Sequence, residues 1–253
     1  MDRVAAALID YRSTGVAVRG DIVASQRRAW QALAAPGTWW TGPERVAIAR
    51  EVRAARGCAA CAERKAALSP NAPTRAHATT GDFAPIVSDA VHRVVTDPGR
   101  LTSGWADAVI AAGVSDAQLV ELISVVCAVM LVDGFARAIG AAPPVLPEPQ
   151  PGEPSRVRPA EAIAEGYFVP TIPYPVGARP EHGLYAADAF VPNVARGLSL
   201  VPDALRTGKD LMRAHYMPYP VVATDYEPPG RPITRSQIEL VAARTSARND
   251  CFY

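Results

Sequence analysis

This chain lacks an excess of charge of either sign. Lys and Arg total 26 against 25 Asp and Glu in 253 residues, a formal net charge of +1. Without a basic block there is no electrostatic reason to expect nucleic acid or an anionic membrane as partner. Long hydrophobic runs are missing too. The longest, Leu122 to Val132, is interrupted by Ser124 and flanked by Glu121 and Asp133, so it reads as a buried helix rather than a membrane span. Met1-Asp2-Arg3-Val4 carries an acid at its second position and no apolar core follows, so no secretory leader is expected and the expected location is the cytoplasm. Cysteine is scarce. Four are too few for a disulfide scaffold at this length, and in a reducing compartment they remain thiols unless chemistry uses them. No glycine-rich phosphate loop, Ser-His-Asp arrangement or cofactor fingerprint is present, and no cofactor is expected. A zinc site is not expected either. Cys58-Ala-Ala-Cys61 has no second Cys-x-x-Cys and no His pair at finger spacing, and His77, His92, His182 and His215 are scattered.

Proline is sparse through the first 140 residues and then clusters at Pro143-Pro144, Pro147, Pro149, Pro151, Pro154 and Pro159. That spacing denies helix and strand alike and predicts an extended connector. A second tract, Tyr167 to Pro180, carries Tyr167, Phe168 and Tyr174 among its prolines and is expected to be an ordered loop. The expected organisation is a first helical unit over 1–142, a proline-rich connector and loop over 143–180, and a second unit over 181–253.

The first unit reads as helical. Ile22, Val23, Ala29, Trp30 and Leu33 recur at spacings one helix face can gather. Thr41-Gly42-Pro43-Glu44 has the form of a capping box with a first-turn proline. Further helices are expected from Ile86 to Val95 and from a Ser115 cap to Ile139, with Cys127 packed inside the latter. No stretch alternates as a strand would, so the class is all-α.

Two segments repeat. Thr41 to Cys58 and Thr234 to Cys251 align without a gap, with identity limited to the Thr, two Ala and the Cys. Each opens on a capping box (Thr41/Glu44, Thr234/Gln237) and breaks just before its cysteine, at Gly57 in one copy and Asn249-Asp250 in the other. A thiol in the first turn of a new helix is favoured as thiolate, the nucleophilic form.

The run Ile233 to Tyr253 resembles the active-site helix of the alkylhydroperoxidase D / carboxymuconolactone decarboxylase superfamily. That motif places Glu twelve residues before Cys-x-x-Cys and a His four residues after it. Glu239 and Cys251 match its glutamate and first cysteine, and Phe252-Tyr253 fits the aromatic pair between the cysteines. Gly113 to Val126 reads like the family's following helix. The resemblance implies tandem helical repeats, the second incomplete, and a thiol-dependent peroxidase. In that family the second cysteine attacks peroxide through a Glu–His relay, and the first resolves the product to a disulfide. Cys251 would then be the resolving thiol and Glu239 the relay base, with a hydroperoxide as substrate and a thioredoxin-like or lipoyl dithiol as reductant. A homo-oligomer is implied as well.

Both copies depart from the pattern. In the first, Val46 and Lys65 stand where the glutamate and histidine should be, so Cys58 and Cys61 are expected either as an auxiliary redox pair lacking its relay or as two small buried residues. In the second, the attacking position would follow Tyr253, and the chain as written is expected to be inactive. A UGA codon there, read as stop but encoding selenocysteine, would complete the motif; a frameshift or a fragment would give the same sequence. The alternatives to a peroxidase are a carboxymuconolactone decarboxylase-like lyase and a non-catalytic helical oligomerisation module.

Overall fold

A computed structural model of the chain describes residues 9–72, 75–186, 191–218, 221–222, 224–248 and 251. Among these are nine α-helices, three short 3₁₀ turns and no strand beyond one isolated bridge between Ile163 and Thr171. The helices are α1 (Gly20–Ala34), α2 (Gly42–Ala55), α3 (Ala59–Ala66), α4 (Pro85–Thr96), α5 (Ser103–Ala111), α6 (Asp116–Ala138), α7 (Asn193–Arg196), α8 (Pro202–His215) and α9 (Arg235–Arg248). The all-helical expectation holds.

Local chemistry starts the helices where the sequence says. Thr41 Oγ1 accepts from the Glu44 amide while the Glu44 carboxylate accepts from the Thr41 amide. Ser115 and Gln118 exchange the same pair of bonds at the start of α6. Each box satisfies two amides that a helix end otherwise leaves unpaired.

α6 is the axis of the main core. It is long and apolar enough to cross a membrane by length and composition, exceeding the eleven-residue run visible in the sequence. Its partner is protein: Leu119, Leu122, Val125, Val126, Val129, Val132 and Ala136 are buried against Trp30, Ile48, Val52, Val91 and Val109 from α1, α2, α4 and α5. Its two buried acids each have a cation, Glu121 with Arg45 and Asp133 with Arg53.

The proline-rich stretch is extended but does not hang free. It straps the helices, accepting from Trp30 Nε1 at the Val145 carbonyl (2.9 Å) and from Arg53 at the Pro144 carbonyl (2.7 Å). Further along, the Gln150 and Arg156 amides donate to Ala34 and Thr38. Gly42 sits where strap, α1 and α2 converge, and a Cβ there would lie 2.4 Å from the carbonyl oxygens of both Ala34 and Gln150. A larger residue cannot occupy that crossing without displacing backbone.

The later helices dock on the same body. Leu200, Val201 and Ala204 pack on Ala117 and Val120 of α6, and Leu205 joins a further cluster with Ile172, Leu184, Tyr185 and Ala195. His215 ends α8 against the Phe135 ring, its Nε2 3.3 Å from Gln26 Nε2. Burial, reinforced by nearby Arg19, holds its pKa down at about 4. The neutral ring is therefore native, and the unfolded chain binds the extra proton between about pH 6.5 and 4. Stability should fall by about 2 kcal/mol as pH drops through that window, after discounting for partial solvent access. His215→Gln, assayed by denaturant melts across the same range, should flatten the slope.

α9 contrasts with α2, its counterpart in the repeat. α2 is buried along one whole face, whereas Ile238 is the buried position described for α9, with Leu240 and Val241 exposed.

Candidate functional site

The site is assembled where α2 ends. Gly57 interrupts the helix, the Cys58 amide still bonds Ala55 O, and Cys58 becomes the N-cap residue of α3. Cys61 follows three residues on, so both sulfurs face the same way. They are buried, with Ala60, in a small cluster apart from the main core. Across from them stands His92, in the middle of α4 and fully buried, and over them lies His77, from the irregular segment between α3 and α4.

The contacts are specific. His77 Nδ1 lies 3.6 Å from Cys58 Sγ and 3.4 Å from Cys61 Sγ, and His92 Nδ1 lies 3.1 Å from Cys61 Sγ. The imidazoles tilt against each other with centroids 4.3 Å apart. Each is held from behind. His92 Nε2 meets Glu51 Oε1 at 3.0 Å, and His77 Nε2 meets Asp89 Oδ1 at 2.9 Å. Carboxylates only accept, so the His92 ring places its proton on Nε2 and leaves Nδ1 as a lone pair facing Cys61. His77 Nε2 instead lies against both Asp89 and the donor Arg64 Nη1 (3.2 Å), and its Nδ1 faces both sulfurs. Glu51 is itself fixed by the Thr80 amide and hydroxyl, at 2.8 and 2.6 Å, and Asp89 by Arg64 at 2.9 Å. Burial alone would raise the Glu51 pKa, but those hydrogen bonds and His92 bring it below the ordinary value.

Ionisation of the two thiols is split. Burial pushes Cys58 up, but His77, the Cys61 and Ala78 amides and the Cys61 thiol bring it down to about 6. Burial pushes Cys61 up to about 11, and the Cys58 charge adds to this against a hydrogen bond from Thr96 and the charge of Arg64. The pair loses its first proton easily and its second with difficulty. A cavity of about 310 Å³, lined by Ala55, Arg56, Lys65, Thr96 and Met130, reaches both cysteines.

These positions correct the sequence reading in two ways. The first-copy pair does not lack an imidazole and a carboxylate: His92 and Glu51 supply them from positions that the motif does not use, while Val46 is buried in the core. Nor are all four histidines scattered, since His77 and His92 converge on the cysteines. His182 instead faces Glu161 at 3.5 Å, and His215 meets Gln26.

The other predicted residues lie elsewhere. Glu239 accepts from the Tyr216 hydroxyl at 2.5 Å and from Arg235 Nε at 2.6 Å. Those bonds outweigh its partial burial and lower its pKa, which makes it a weaker base. Cys251 is exposed, and α9 runs unbroken to Arg248. Twelve residues of helix would separate the two groups by roughly 18 Å. No hydrogen bond joins Cys251 to Glu239 among the described residues, and the expected break at Asn249-Asp250 lies outside them. Cys127 is not closed within packing. It is exposed and lines an apolar cavity of about 570 Å³ between α6, α8 and the Gly166–Val169 loop.

No protein-family model matches this chain, and neither a curated protein nor a solved structure is detectably similar to it.

Proposed function

We propose that this chain reduces hydroperoxides by thiol chemistry at Cys58 and Cys61, with His92 and Glu51 managing the proton. One observation carries the reading: the unbroken contact chain Cys61 Sγ, His92 Nδ1, His92 Nε2, Glu51 Oε1, with steps of 3.1 and 3.0 Å across the ring, beside a cavity that reaches both sulfurs. It contains the thiol, imidazole and carboxylate that the superfamily resemblance implies, drawn from α2, α3 and α4. The finer architecture implied by that resemblance, tandem repeats with the second incomplete, belongs to this proposal. So do a dithiol reductant and a homo-oligomer. Completing a pair at Cys251 takes a residue after Tyr253, and the nucleotides following codon 253 decide that question.

In the chemistry this supports, Cys58 attacks, because it stands at the N-cap of α3, where unpaired amides and the helix dipole favour a thiolate. Its thiolate forms a bond to the distal peroxide oxygen, the O–O bond breaks, and the departing alkoxide takes a proton from solvent. Cys61 then gives its proton to His92 Nδ1 and attacks the Cys58 sulfenic sulfur. The disulfide forms, and the leaving hydroxide collects that proton as water. An external dithiol restores both thiols by exchange.

Turnover of hydrogen peroxide and cumene hydroperoxide with dihydrolipoamide tests this. Cys58→Ser and Cys61→Ser should each lower the rate by about 100-fold or more, and His92→Ala by a similar factor. Cys127→Ser and Cys251→Ser should leave it intact. In Cys61→Ser, a sulfenic acid trap should label Cys58. Turnover indifferent to both Cys58 and Cys61 ends this reading, and dependence on Cys251 would transfer it to the second copy.

A further inference from the structure

We infer that, in the reduced protein, Cys58, Cys61, His77 and His92 form a tetrahedral Cys₂His₂ site for zinc. The inference needs only the four side chains and stands whether or not the thiols turn over peroxide.

The ligand atoms already have the right separations. The two sulfurs and the two ring nitrogens all lie within 4.8 Å of one another. Zinc–sulfur and zinc–nitrogen bonds of about 2.3 and 2.0–2.1 Å at tetrahedral angles require edges of roughly 3.4–3.8 Å. Three of the four sulfur–nitrogen edges here are 3.1, 3.4 and 3.6 Å, and the fourth lies within 4.8 Å. Modest adjustment would admit an ion at the centre.

The surroundings agree with the donor set. Both histidines turn Nδ1 toward the sulfurs and Nε2 toward a carboxylate, Glu51 for His92 and Asp89 for His77, where Arg64 also lies 3.2 Å away. A carboxylate behind a ligating histidine fixes the tautomer, aims the lone pair and raises ligand basicity. Thr80 and Arg64 in turn fix the two carboxylates. Two thiolates and two neutral imidazoles neutralise a divalent cation, which matters because the ligands are nearly or fully buried. Four protein ligands close the coordination sphere, the pattern of a structural rather than an open catalytic ion. Softness selects the metal: two sulfurs with two imidazoles suit zinc, whereas calcium and magnesium take oxygen.

Binding needs both sulfurs as thiolates, so uptake displaces whatever thiol protons remain and strengthens as pH rises. It also ties three segments together: the start of α3, the stretch carrying His77, and the middle of α4. A zinc-loaded site has no free thiolate, so the ion and a peroxide compete for the same sulfurs.

The test uses the full chain, reduced and stripped with a chelator, and cobalt(II) and zinc as probes. One cobalt per chain should give the visible bands of a tetrahedral thiolate complex, and zinc should displace it stoichiometrically. Bound zinc should shield Cys58 and Cys61 from alkylation, read by mass spectrometry, while exposed Cys251 in the same molecule stays reactive. Asp89→Asn, which keeps all four ligands, should weaken zinc binding about 10–100-fold, and Cys58→Ser/Cys61→Ser should abolish it. The site is refuted if the reduced wild-type chain takes up no cobalt, if zinc leaves Cys58 and Cys61 as reactive as Cys251, or if the double variant binds undiminished. No peroxide enters the experiment, so this result is independent of the turnover assay.

Discussion

Glu51→Ala should lower the unfolding free energy by about 3–5 kcal/mol, read from denaturant melts at neutral pH. Glu51 is completely buried on α2 and accepts three hydrogen bonds, from the Thr80 amide, the Thr80 hydroxyl and His92 Nε2. Alanine leaves the fully buried His92 Nε2 without a partner, releases the exposed Thr80 to water and opens a void where the carboxylate lay. Glu51→Gln separates shape from charge. Its amide oxygen still serves Thr80, but the amide –NH₂ would confront the His92 Nε2 proton, and the ring relieves the clash by switching tautomer. Nδ1 then carries hydrogen toward Cys61 and offers no lone pair. Glu51→Gln should therefore cost only about 1–2 kcal/mol yet disable whatever depends on His92 Nδ1. Nitrogen chemical shifts of the His92 ring would report the switch directly, and an unchanged tautomer would show that Glu51 does not set it. Because the carboxyl pKa is depressed in the folded protein, its stabilisation is present above the ordinary glutamate range and is lost as acid titrates it. Glu51→Gln should lack that part of the acid sensitivity.

Asp133→Ala is expected to cost about 3 kcal/mol and to loosen the proline strap. Asp133 is 1% exposed and takes two bonds from Arg53, at 3.0 and 2.8 Å. Arg53 also donates to Pro144 O. Loss of the carboxylate strands a guanidinium that is 28% exposed, so the cost sits at the low end for a broken buried pair. The diagnostic effect is local: amide exchange should quicken over 143–156, where the Gln150 and Arg156 amides bond to Ala34 and Thr38. A destabilised variant with unchanged protection there would mean that Arg53 does not anchor the strap. A double-mutant cycle with Arg53→Ala measures the coupling.

What could be read in advance was whatever neighbouring residues decide among themselves. Thr41 and Glu44, or Ser115 and Gln118, are three apart and close their boxes with no help from the rest of the chain. Gly57 ends α2 and places Cys58 at the start of α3 for the same reason. Prolines at 143, 144, 147, 149 and 151 predict extended backbone, but not where that backbone lies; Trp30 and Arg53 decide that from distant helices. The site was half legible. Cys58 and Cys61 announce themselves by spacing, whereas Glu51 reads as one more charged residue in a helix rich in arginine.

The amino-acid order alone settled the helical class, most helix starts and the pairing of two thiols at a helix opening, because each depends on interactions within one turn. Tertiary packing alone decided which imidazoles and carboxylates face those thiols. His77, His92, Glu51 and Asp89 come from separate segments, and no periodicity within any one of them encodes the crossing of α2 and α4 that brings their lone pairs to a common point.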